Sequence, residues 1–382
     1  MSRHFVRLLG LWFFLACSGK NSISKKIEAY YDSDEIREFT EVQHSLNDNL
    51  DEYSLLAHQI VADVLNEIKI KGYTDLILRN GGSTTISHLL QPYTLSTSLR
   101  DSITTKKTLY LEESAILTQE NQGFSEGCDS LLFTSLRRVG GADVDLTLAE
   151  GAGTGQMYRS PTHDCYPNNS QSTISRDMLN GLAWALWQEQ NQGYTQGLTG
   201  RVWEYAKANN WYTGEAIDIQ TRQSRASFSI DLGILYQSIL YQLTGTESQV
   251  RKLPVLPASN VIGFEAHLLV LFTFLSGYIH GGLSEPEYKS IQTQAARQPK
   301  NAFFQAALHA FTDGVMDGPA ESLMDETWFP NDKLPSNLQR CENYIWQRDD
   351  GTDWQPCSKE QSHDGSDFLF LAAIVLDEVK RK

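Results

Sequence analysis

Between residues 172 and 187 the chain reads Ser-Thr-Ile-Ser-Arg-Asp-Met-Leu-Asn-Gly-Leu-Ala-Trp-Ala-Leu-Trp. Small polar residues deliver Ser175 as a helix cap, Arg176 and Asp177 fall in the first turn, and the residues that follow are apolar on nearly every face. The pattern predicts a buried helix. A charged or polar start before an apolar helix returns at Ser229-Ile230-Asp231, at Gly263-Phe264-Glu265-Ala266-His267 and at Gly365-Ser366-Asp367. Apolar helices are predicted over 229–243, 261–279, 301–311 and 367–379. Between them lie amphipathic segments. Residues 197–209 set Leu198, Val202, Trp203 and Ala206 on one stripe against Arg201, Glu204 and Lys207, and 284–296 opens Ser-Glu-Pro-Glu, with proline near the first turn.

The upstream half is less regular. Leu55, Leu56, Ile60, Val61, Val64, Leu65 and Ile68 have helical spacing within 41–70. From Thr74 to Thr108 the richness in Thr and Ser leaves helix, short strand and loop all open. Residues 109–118 and 128–139 read as helices, the second closed by Gly140-Gly141. Two long connections, 143–169 and 330–365, exceed what compact domains usually carry, Pro254 and Pro257 keep 253–260 irregular, and 319–328 is short and mixed. Convincing period-two strands are few, so the predicted class is all-α. Concentric layers produce this alternation, because inner helices touch neighbours all round while outer ones face water. Across roughly residues 110 to 382 the alternation resembles an α/α toroid, the helical-hairpin array with long loops on one face found in many carbohydrate-active enzymes. The competing architecture is an irregular helical bundle.

The first sixteen residues carry Arg3 and Arg7, an apolar run and then Phe14-Leu15-Ala16-Cys17. This resembles a bacterial lipoprotein signal, which implies cleavage before Cys17, a lipid on that cysteine and, with Ser18 next, sorting to the outer membrane. The apolar run is shorter than the about 20 residues of a membrane span, so a lipid anchor is expected and not a crossing. The organisation predicted is a signal peptide over 1–16, a tether over 17–40 and one large helical domain over 41–382, exported to the periplasmic or surface face. A formal charge of −15 repels phosphate backbones and excludes nucleic acid as an expected partner. The expected partners are the membrane, through the anchor, and a glycan.

Four further cysteines in an exported chain suit two disulfides. Proximity favours Cys128 with Cys165 and Cys341 with Cys357, each contributing about 3 to 4 kcal/mol. Zinc-ligand spacing is absent, and no metal or cofactor is expected.

The toroid resemblance implies carboxylates near inner-helix starts on one face. Glycosidic cleavage needs one carboxylic acid to protonate the leaving oxygen and one carboxylate to activate water or attack carbon. Asp177, Asp231 and Glu265 are the candidates, and Asp367 stands at a similar start. The helix dipole alone also favours acids at these positions. Arg176 pairs with a neighbouring carboxylate or binds a substrate carboxylate. Trp346, Arg348 and His363 lie in or beside the loop closed by the second disulfide, where aromatic faces and charges suit sugar rings. His267 lies about 200° round the helix from Glu265, so the two cannot face one point. Gly123-Phe-Ser-Glu-Gly127 matches a nucleophile-elbow spacing but follows a polar stretch where a buried strand is needed. A glycoside hydrolase or polysaccharide lyase is therefore one expectation; the alternative is a non-enzymatic envelope lipoprotein that binds or scaffolds.

Overall fold

The computed structural model describes residues 85–127, 129–162, 174–209, 230–245, 263–335 and 364–381. Among these residues there are ten α-helices and one two-stranded sheet, so the fold is mostly helical. The helices are α1 (Thr97–Leu117), α2 (Ser130–Val139), α3 (Arg176–Glu189), α4 (Gln192–Ala208), α5 (Ile230–Leu243), α6 (Gly263–His280), α7 (Glu285–Arg297), α8 (Ala302–Ala310), α9 (Asp317–Met324) and α10 (Ser366–Val375). Strand β1 (His88–Leu89) pairs antiparallel with β2 (Gly282–Leu283). No described helix is long and apolar enough to cross a membrane.

Three helices differ from the sequence pattern for identifiable reasons. α1 begins at Thr97 and takes in the Thr-rich stretch that the pattern left open. Its buried stripe is Ile103, Lys106, Tyr110 and Ser114, and two polar members of four hide the helical period. The hydroxyls of Ser102, Thr104, Thr105 and Thr108 donate to carbonyls four residues back, which satisfies them without leaving the helix. α4 opens five residues earlier than expected because the Asn191 side chain accepts from Gly193 N and caps the start. α10 ends at Val375, since Asp377 adopts φ +62° and turns the chain back toward α3. There the Lys380 carbonyl accepts from Trp187 Nε1 and Gln188 Nε2 donates to the Glu378 carbonyl.

Six helices pack in a circuit, α2 on α3, α3 on α5, α5 on α6, α6 on α8, α8 on α10, and α10 back on α2, and α3 also packs directly on α6 across it. α2 and α3 run the same way, because Leu132 meets Gly181 near one end while Arg138 binds Glu189 near the other. α6 and α8 also run the same way, with His267 beside Phe304 and Phe274 beside Phe311. Side chains fill the middle. Trp184 meets Phe274, Tyr278 and Phe370 edge-on at 5.6, 5.5 and 5.1 Å, and its indole N–H donates to the Leu271 carbonyl at 2.9 Å. A side chain of this size removes on the order of 200 Å² from water, roughly 5 kcal/mol of driving force.

The amphipathic helices lie across these contacts. α4 packs on both α3 and α5, α7 on α6 and α8, and α9 on α8 and α10. Each buries one stripe between two neighbours and, apart from the buried Glu287 of α7, keeps its charges toward the surface. Ahead of α1, residues 86–96 form a strap over the ends of α6 and α8: Leu90 N donates to the Gly281 carbonyl, Gln91 N to the Ala310 carbonyl and Thr94 N to the Gly314 carbonyl. Gly314 (φ +72°) is required there, since a Cβ would lie 2.1 Å from the Pro92 carbonyl oxygen.

Candidate functional site

α3 opens in extended backbone at Ser175, whose hydroxyl does not cap the helix. Arg176 is exposed and forms no ion pair with a described residue, whereas Asp177 is only 6% exposed. One turn on, Gly181 lies against α2 so closely that a Cβ would stand 2.8 Å from Leu132 Cδ1 and 3.1 Å from the Leu132 carbonyl oxygen. Helical spacing puts Asp177, Gly181 and Trp184 on one face, with Asn180 beside it, so the acid lies on the strip of α3 turned toward α2 and the core. Among the described residues no group donates a hydrogen bond to the Asp177 carboxylate. Ser175 Oγ and Asn180 Oδ1 are likewise buried without a partner.

Asp231 is the second residue of α5 and Glu265 the third of α6. Their side chains lie outside the described residues. α5 reaches the opening of α3 through Tyr236, whose hydroxyl donates to the Leu179 carbonyl at 3.0 Å. The start of α10 lies elsewhere: Gly365 packs on Tyr110 and Leu334, and Asp364 faces Arg137 near the far end of α2. Asp367 is therefore not brought to the opening of α3. His267 is fully buried beside Phe304. Trp346, Arg348, His363, Cys17, Cys128, Cys165, Cys341 and Cys357 lie outside the described residues.

Other buried charges are held by their surroundings. Glu150, 8% exposed, accepts from Gly155 N, Arg201 Nε and Arg201 Nη2, each at 2.7 Å. Those bonds raise the Arg201 guanidinium above its ordinary value. Arg137 donates to Ser114 Oγ at 2.8 Å and to the Gly123 carbonyl, and burial lowers it against the pull of Asp364. Lys106 donates to the carbonyls of Leu323 and Phe329. Burial pulls its amine down to about 8, with Glu326 and Asp325 opposing. Glu287 closes a capping box with Ser284. Among the described residues no group of three or more His, Cys, Asp or Glu is arranged to hold a metal.

Sequence reasoning passed over Asn180. Its signal was an amide inside an otherwise apolar run from Met178 to Trp187, where burial demands a partner. No known protein family, curated protein or solved structure matches the chain.

Proposed function

We propose that the chain is a lipid-anchored protein of the bacterial cell envelope whose α/α-toroid-like domain binds or hydrolyses a glycan. In this reading Cys17 carries the lipid at the outer membrane. Asp177 and Asp231 serve as acid and base with Glu265 beside them, and Arg176, Trp346, Arg348 and His363 hold substrate. The observation that carries it is the closed circuit of six helices, four of which have an acidic residue within their first turn. The bridging positions of α4, α7 and α9 support a layered array over an irregular bundle. The Tyr236 bond holds α5 against the start of α3, the helix that carries Asp177. Cleavage requires two such carboxyl groups about 5 to 10 Å apart, one protonated. The Cys128–Cys165 bridge fits the same reading, because the Arg159–Asp129 ion pair and the bond from Leu131 N to the Arg159 carbonyl hold the flanking segments together.

The test is turnover. The full chain in detergent, incubated with a panel of polysaccharides, releases new reducing ends, and Asp177→Asn and Asp231→Asn each lower that rate at least a hundredfold. Release of ends at the parental rate by both variants removes the catalytic assignment. No binding and no release with any polysaccharide removes the glycan reading.

A further inference from the structure

Of the three amphipathic helices laid across the circuit, α7 is seated on a different kind of surface from the other two. α4 buries Leu198, Val202, Trp203 and Ala206, and the short α9 buries Pro319, Ala320 and Leu323. The buried residues of α7 are Glu287, Ser290, Ile291, Gln294 and Ala295, and the buried Gln298 carries the polar stripe past its end. Tyr288 is only half-buried. Apolar area removed from water drives a helix onto its neighbours, whereas a polar side chain trades bonds to water for bonds to protein and gains little. Turn for turn, α7 therefore gains the least from its seat.

Two of its buried polar groups also bond within their own segment. Glu287 accepts from Ser284 N at 2.7 Å and from Ser284 Oγ at 2.6 Å, and Ser290 Oγ donates to the Pro286 carbonyl at 3.0 Å. These bonds travel with the helix. At its start α7 is fastened by the strap: His88 Nε2 lies 2.7 Å from Glu285 Oε2, and the His88 ring stacks on Tyr288 at 3.7 Å. At its other end Gln305 Nε2 of α8 donates to the Ala295 carbonyl at 2.9 Å. The connections on either side are Ser284, in extended backbone, and the exposed Pro299 and Lys300.

We infer that α7 is a lid, latched by His88, that leaves its seat on α6 and α8 as a unit while the other described helices stay packed. Lifting it returns a polar stripe to water at small cost and bares the seam between α6 and α8. The inference is independent of the glycan reading.

The test is native-state hydrogen exchange of the full chain in detergent, followed across urea concentrations below the unfolding transition. Amides of residues 289–297 in α7 are protected at least a hundredfold less than those of α3, α6 and α10, with a weaker dependence on urea, and at least tenfold less than the interior amides of α4. His88→Ala lowers the protection of α7 about fivefold further, through loss of the stack and the bond to Glu285. Protection and urea dependence in α7 equal to those of α3, α6 and α10 overturn the lid, because the helix then leaves only when the whole molecule unfolds. Exchange in α4 as ready as in α7 overturns the polar stripe as its cause. An unchanged α7 in His88→Ala overturns the latch.

Discussion

Two buried carboxylates sit in regions that treat them in opposite ways. Glu150 is met by three donors at 2.7 Å and fixes the 150–157 turn against α4. Gly155 (φ +84°) lies so near the Arg201 backbone that a Cβ would be 2.0 Å from its carbonyl oxygen, so turn and helix are fitted to one another. Asp177 is as deeply buried at the opening of α3, with none of those donors. Burial alone therefore says little about a charged group. What surrounds it separates an acid bound into the structure from one that the described residues leave without donors.

Substitution breaks or sharpens the contrast. The largest effect is expected from Glu150→Ala, which strips Arg201 of its partner and leaves Gly155 N unbonded. Urea unfolding should show a loss of about 3 kcal/mol, less than a fully buried pair because Arg201 is partly exposed. A cost below that of Asp177→Asn would erase the distinction.

Lys106 is the intermediate case, a buried amine bonded to two carbonyls and to no carboxylate among the described residues. Its folded value near 8 lies below the ordinary lysine value of 10.5, so between those pH values the unfolded chain holds more protons than the folded one. Stability from this group accordingly rises as pH climbs from about 8 to about 10.5 and is flat below that window. Relative to Lys106→Met, the parent should gain about 2 kcal/mol between pH 7 and pH 10, after discounting for the solvent that still reaches the amine. A difference between parent and variant that stays constant with pH would show the amine to be as well solvated as a surface lysine. The smallest effect is expected at Asp177 itself. Asp177→Asn should leave thermal stability unchanged or raise it by up to about 1 kcal/mol, the lost dipole interaction roughly cancelling the relief of a buried charge. A loss of 2 kcal/mol or more would place Asp177 with Glu150.

The helices α3, α5, α6, α8 and α10 were legible because their apolar runs admit no other placement. α1 was not, since its buried stripe includes Lys106 and Ser114, whose partners come from chain more than 20 residues away. Residues 86–96 were illegible for a related reason: their pairing is with residues nearly 200 and more positions on, and a two-residue strand has no period to read. At the site, the acidic helix starts could be read from sequence. The difference between Glu150 and Asp177 could not, because Arg201, 51 residues downstream, is visible as a partner only after folding. Asn180 could have been flagged by its place in an apolar run.

α10 reaches the ribosome exit after every other described helix, yet all ten of its residues are buried, and both Trp184 and Phe303 lean on Phe370. Through most of synthesis those two aromatic faces wait without the surface that covers them, so a nascent chain short of residue 366 exposes the kind of sticky patch that holdase chaperones recognise. Maturation thus waits on α10, and a frameshift or stop codon just before it should yield aggregates or degradation products rather than a slightly smaller folded protein.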